Sequence, residues 1–219
     1  MRAALGDART VVNVGAGAGA YEPDDLDVVA VEPSETMIAQ RPPGSAPVVR
    51  AYAEELPFAD GEFDAAMAIL SDHHWHDRAR GLRELRRVAR VRAVVFTWDQ
   101  SYADRFWLTR DYVPAFKALP GMEIETVAEC LGGTRIEAVP LPWDCLDGFY
   151  HAYWRRPEAY LDDRVRAGIS VFHRLDAREV EDAVARLRAD LESGEWHRRN
   201  RDLLELDECD FGYRLVIAE

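Results

Sequence analysis

The sequence predicts a doubly wound α/β fold: a mostly parallel, seven-stranded sheet with a helical lid inserted before its last strand. Three observations predict it. Short β-branched apolar runs alternate with turn chemistry and helical stretches, the rhythm of a parallel sheet covered on both faces. A glycine-rich loop follows the first of those runs. A mostly helical stretch, residues 144–205, then separates the sixth run from the seventh.

The first run is Thr10–Val14, leading into Gly15-Ala16-Gly17-Ala18-Gly19. Leu26 follows Gly15 by only eleven positions and Pro23 falls between them, so the first crossover has room for a helical turn or two at most. Val28–Glu32 is the second strand. Ser34 can cap a short helix to about Arg41, which Pro42, Pro43 and Gly44 close off. Val48–Ala51 and Phe63–Leu70 are the third and fourth strands. Leu82, Leu85 and Val88 recur at helical spacing, placing an amphipathic helix over about 78–89 ahead of the fifth strand, Ala93–Trp98. Arg135–Val139 and Tyr213–Ala218 complete the set. Within the insertion, Asp176 and Glu179 start a helix whose stripe is Val180, Val184, Leu187 and Leu191, with Gly194 as its stop. Residues 1–143 and 206–219 are thus expected to form the core, and 144–205 a lid within a single domain.

Composition narrows the function. The 219 residues carry 27 basic and 40 acidic side chains, a net charge of −13 that repels phosphate backbones and anionic lipid surfaces. Nucleic acid is therefore not an expected partner. The longest apolar run, Ala65–Leu70, is far short of the roughly 18 residues that a membrane span needs, and no signal-peptide stretch opens the chain. A cytoplasmic protein acting on a small molecule is the expectation. The single lysine among the basic residues suggests GC-rich, bacterial coding. Cys130, Cys145 and Cys209 are too scattered for a disulfide framework or a zinc site, and no metal is expected.

Two features point to a nucleoside. Alternate glycines let backbone 15–19 turn sharply and approach a ligand closely at the carboxyl end of the sheet, where open α/β folds bind ligands. Glu32 ends the second strand, where a carboxylate can accept hydrogen bonds from both hydroxyls of a ribose. Each alone has a plain alternative: loop packing for the glycines, a helix N-terminal charge for Glu32. The pattern Gly15, Gly17, Ala20 also fits a dinucleotide loop, which leaves an NAD-dependent oxidoreductase as a lesser alternative.

The stretch Ala53-Glu54-Glu55-Leu56-Pro57-Phe58, then Phe63-Asp64 and Ser71-Asp72-His73-His74-Trp75, resembles the class I S-adenosylmethionine-dependent methyltransferases, specifically the broad small-molecule group with a Rossmann-like sheet. The resemblance covers about residues 9–98. It implies S-adenosylmethionine as cofactor, with Asn13, Gly15, Ala16 and Gly17 along its methionyl and ribose portions and Glu32 on the ribose. It further implies Pro33 and Met37 on the adenine ring, Ala53 and Glu54 at the adenine edge, and Leu70 and Ser71 beside the sulfonium. Departures are Asn13 where relatives carry an acid, Tyr52 ahead of Ala53-Glu54, and Arg90-Val91-Arg92 in place of a Pro-Gly-Gly turn.

For chemistry, His73 and His74 stand just past the fourth strand, and an imidazole titrating near neutrality can remove a proton from an incoming nucleophile. His73, Trp75 and Asp77 also resemble a His-x-Trp-x-Asp stretch of plant O-methyltransferases, where the position of His73 is the base. Trp75, Trp98, Tyr102, Phe106, Trp107, Tyr150, Tyr153 and Trp154 are candidate walls for an aromatic or hydrophobic substrate. Each has core packing as its alternative. The expected activity is methylation of an oxygen, nitrogen or carbon of a small metabolite. The alternative from another class is a protein that binds the cofactor without methylating, as a scaffold, regulator or cyclase. Oligomeric state is left open.

Overall fold

β-branched runs become strands where both faces can be covered, and the computed structural model, which describes residues 1–119, 121–132 and 135–219, shows where that cover comes from. The strands are β1 (Thr10–Val14), β2 (Asp27–Val31), β3 (Val48–Val49), β4 (Phe63–Ile69), β5 (Ala89–Trp98) and β6 (Arg135–Ala138), and after an intervening pair β7 (Leu141–Pro142) and β8 (Glu208–Cys209), β9 (Tyr213–Ala218). Seven of them form one sheet in the order β3-β2-β1-β4-β5-β9-β6. β1 through β5 pair in parallel, and β6 lies antiparallel to β9. The seven expected strands are all present, within a few residues of the ends read from sequence.

Alternation along each strand sorts side chains to two faces. Val12, Val14, Ala66, Ala68, Val95 and Val216 join one buried cluster with Leu82, Leu85 and Val88 of helix α2 (Arg78–Val88; α1 is Glu35–Ala39) and Ile124 and Val127 of α3 (Ile124–Cys130). Val11, Ala65, Met67, Val94 and Ile217 face the other way and pack with Ala4 and Leu5 of an N-terminal 3-10 turn. Register is pinned at the amino end of the strands by Asp64. Its Oδ2 accepts from the amides of Arg9 (3.0 Å) and Thr10 (3.1 Å), its own amide donates to Thr10 Oγ, and Arg90 pairs with Oδ1.

The sequence leaves the first crossover a helical turn or two at most, and the structure uses none of it. No helix forms between β1 and β2; residues 15–26 run through turns, with Gly15, Gly17 and Gly19 at φ of 73°, 54° and 88°. Three left-handed residues so close together, with Pro23 after them, leave no stretch that can complete an α-helical turn. The capped helix after β2 is real but shorter than expected: Ser34 Oγ accepts from Met37 N, and α1 ends at Ala39.

By contacts the chain divides into two compact units. The first is Met1–Asp99, Met122–Ala138 and Arg214–Glu219; the second is Gln100–Gly121 and Val139–Tyr213. The second is thus larger than the insertion read at 144–205, because its core is shared between the two segments. Phe106 and Trp107 pack with Tyr150, His151, Tyr160, Trp196 and Phe211. Around them lie α4 (Asp163–Ala167), α5 (Ala177–Glu192), α6 (Glu195–Arg199) and the β7–β8 ribbon. Asp176 caps α5 through the amides of Arg178 and Glu179, as the sequence suggested. A π-helical turn, Leu108–Tyr112, closes on the bond from Val113 N to Leu108 O. Among the described residues no helix is long and apolar enough to cross a membrane.

Candidate active site

The sheet brings the carboxyl ends of β1, β2 and β4 side by side, and the candidate residues follow from that pairing. The amides of Gly15 and Ala16 both donate to the carbonyl of Val31 (2.8 and 3.0 Å), so the glycine loop starts bent across the end of β2. Glu32, buried, reaches back: Oε2 accepts from Gly17 N (2.8 Å) and Oε1 from Ser34 N (2.9 Å). Each carboxylate oxygen has two lone-pair sites, so each keeps one for a hydroxyl. The carboxylate is thereby aimed and fixed while retaining the capacity that a ribose needs.

Gly15 shows why its position demands glycine. A Cβ there would lie 2.5 Å from Ser71 Cβ and 3.5 Å from Trp75 Nε1, and its φ of 73° is one that L side chains rarely adopt. Ser71 completes the contact by donating Oγ–H to the carbonyl of Val14 (2.9 Å). A Cβ on Gly17 would meet Met37 Cε at 3.3 Å, which places the Met37 side chain beside the loop; at 37% exposure it offers apolar surface for a flat ring. Trp75 lies between the loop and α2, where the indole occupies the space of a side chain at Gly81 (2.4 Å). The structure therefore brings Gly15, Ala16, Gly17, Glu32, Met37, Ser71 and Trp75 together. Asn13 and Ala53 are buried in the first unit, and Pro33 is half-buried ahead of Ser34.

The remaining candidates have other engagements. Glu54, expected at the adenine edge, accepts from Asp77 N (3.0 Å) at the start of α2. Leu56 N donates to Glu84, and Arg87 grips the carbonyls of Leu56 and Phe58, so the Ala53–Phe58 motif is strapped to α2. Leu70, at the end of β4, has φ 49°, and among the described residues no other non-glycine has a positive φ. That turn throws the chain into the 3-10 turn Asp72–His74, leaving both imidazoles exposed with ring centroids 4.0 Å apart. Phe106, Trp107, Tyr150 and Trp154 are buried in the ring-packed core of the second unit; a substrate would reach them only by opening that core. Trp98, Tyr102 and Tyr153 are half-buried.

Sequence reading missed one cluster. Asp72, fully buried, takes Arg78 Nε (2.8 Å), Arg78 Nη2 and Thr97 Oγ (3.1 Å) on Oδ2, while its Oδ1 has no partner. This ties the start of the His73–His74 turn to α2 and to β5. A charged residue in the loop after a strand is a weak signal, and nothing in spacing linked it to Thr97. Among the described residues no group of three or more His, Cys, Asp or Glu could hold a metal ion.

Residues 12–97 match a family model described as a methyltransferase domain. A provisionally assigned methyltransferase from an antibiotic biosynthesis pathway of Anabaena variabilis is 36% identical over 96% of this chain and 90% of its own, with a TM-score of 0.87. The chain belongs to the S-adenosylmethionine-dependent methyltransferases. Its cofactor is therefore S-adenosylmethionine, which decides the glycine pattern against a dinucleotide. The cradle fits that cofactor: a side-chain-free backbone at Gly15, a fixed carboxylate with free lone pairs, and an apolar methionine beside the loop. A further match, the Escherichia coli protein YafE, is 54% identical over 37 residues, 17% of this methyltransferase and 18% of that protein, so the chain spans under a fifth of that curated relative. The cyclase SpnF, 16% identical over 96% of this chain and 74% of its own at a TM-score of 0.53, shares the fold.

Proposed function

We propose that this methyltransferase methylates an oxygen, nitrogen or carbon of a small aromatic or hydrophobic molecule. The observation that carries this reading is the likeness, along nearly the whole chain, to the Anabaena variabilis protein assigned to an antibiotic biosynthesis pathway. That alignment includes the second unit as well as the cofactor-binding motifs. When bound, S-adenosylmethionine supplies an activated methyl group on a sulfonium.

The task left to the protein is to hold, align and keep dry. Gly15–Gly17 and Glu32 bind the ribose side, Met37 and Pro33 offer the adenine a flat apolar contact, and Leu70 and Ser71 form the wall at the end of β4. Placing an acceptor in line accounts for up to roughly 7–11 kcal/mol of barrier lowering when orientation is good. His73 removes the proton from an acceptor that arrives protonated, with His74 as the second candidate; both stand exposed on one turn whose base is held by Asp72. Of the aromatic candidates, Trp75 and Trp98 in the first unit and Tyr102 and Tyr153 in the second are half-buried rather than buried, and they are the ones proposed to meet a substrate.

The test pairs binding with turnover. S-adenosylhomocysteine should bind in a calorimetric titration, and radiolabelled methyl should pass to at least one member of a panel of aromatic acceptors. His73→Ala should cut that transfer roughly 10²-fold, the scale expected of a true base, with S-adenosylhomocysteine affinity unchanged. Binding without transfer to any acceptor would favour the scaffold, regulator or cyclase reading, for which Asn13 and the missing crossover helix are the motive.

A further inference from the structure

The loop that holds the cofactor in the reading above is not backed by a crossover helix, and something else must keep its shape. Beside it lies a buried ion pair. Arg41, just past α1, directs Nη2 to Glu22 Oε1 (2.6 Å) and to the carbonyl of Ala46 (3.0 Å), and Nη1 toward the carbonyl of Gly17 (3.4 Å). Glu22 Oε2 accepts from Ala46 N (3.1 Å). The two side chains are only 5% and 9% exposed. Gly19 is fitted to the same group: at φ 88°, a Cβ would stand 3.1 Å from Arg41 Nη1.

We propose that Arg41 is a positioning residue for the cofactor loop, and that with Glu22 it forms a brace doing the work of the absent helix. The proposal rests on the reading that residues 15–17 bear the cofactor. Three considerations support it. A desolvated ion pair persists only where its remaining hydrogen-bonding capacity is met, and here backbone groups from two loops meet it. A guanidinium spans three acceptors in fixed directions, which the point charge of a lysine cannot reproduce. The carbonyl it faces belongs to Gly17, whose amide is held by Glu32, so a single peptide segment carries both the ribose acid and the brace.

The experiment compares Arg41→Met, Arg41→Lys and the double variant Glu22→Leu/Arg41→Met. The double variant strands no buried charge, so it folds even if the single one does not. Readouts are S-adenosylhomocysteine affinity by calorimetry and amide exchange across residues 15–20. The folded methionine variants should bind at least about tenfold more weakly, the scale of one charge-assisted hydrogen bond, with Arg41→Lys intermediate. Exchange should quicken at residues 15–20 and stay slow in β1 and β4. A merely structural role would lower melting temperature and leave both readouts unmoved. Affinity within twofold of wild type together with unchanged loop exchange overturns the proposal. If wild type itself binds no S-adenosylhomocysteine, the cofactor reading fails, and the exchange rates still decide whether the brace orders the loop.

Discussion

The two units solve the same packing problem with different materials. The sheet unit fills its interior with valine, alanine and leucine, and keeps its charged groups at strand ends, where backbone amides or an arginine meet them. The second unit fills its interior with rings: Trp107 packs edge-on against Tyr112, Tyr160 and Trp196, and Phe106 touches Tyr150, His151 and Phe211. Many of those rings carry a polar tip that must find a partner in the dark, as Trp107 Nε1 does on the carbonyl of Trp154 (2.8 Å) and His151 Nδ1 does with Tyr213 Oη (2.9 Å). An aliphatic core is indifferent to acidity, whereas a core containing imidazole and phenol is not.

The largest expected contrast is in truncation. Trp107→Ala should cost about 3–5 kcal/mol, since it opens a wide cavity and orphans the Trp154 carbonyl. Val12→Ala in β1 should cost about 2 kcal/mol, near 0.8 kcal/mol for each of its two lost carbons plus a small void. Urea denaturation of both variants checks this; equal losses would erase the contrast.

Next comes acidity. Burial holds the His151 imidazole down at about 3, so the folded unit keeps it neutral where an unfolded chain would bind a proton. Its stabilising share is complete above about pH 6.5 and drains away as pH falls toward 3; at pH 5 the loss is about 2 kcal/mol. Melting temperatures at pH 7 and pH 5 should differ accordingly, and His151→Gln should shrink the difference.

The smallest effect sharpens the same comparison from the sheet side. Asp64 is held at about 2, first by the amides of Arg9 and Thr10 and then by Arg90. Its contribution is complete above about pH 4 and lost as pH falls through 2. Asp64→Asn should therefore cost about 1 kcal/mol at neutral pH and nothing near pH 2, read by urea midpoints across that range.

How much of this was legible in the sequence follows the same division. Strands show themselves through β-branched runs, so the seven strands, the glycine loop and Glu32 could be placed with no coordinates. The Ser34 and Asp176 caps were equally local. What could not be read joins residues far apart by shape alone: Arg41 with Glu22, Asp72 with Thr97, and Phe106 with Tyr150. Aromatic residues were the hardest, since a tryptophan that lines a cleft and one that fills a core look identical in sequence. Trp107 and Trp154 proved to be of the second kind by burial, and Trp98 is half-buried.

The left-handed Leu70 bears on how this protein could be made hardier. Replacing it with asparagine or glycine relieves a conformation that a branched side chain tolerates poorly. A library selected for survival of heat would therefore enrich changes there, and each would keep the backbone turn on which the paired imidazoles stand.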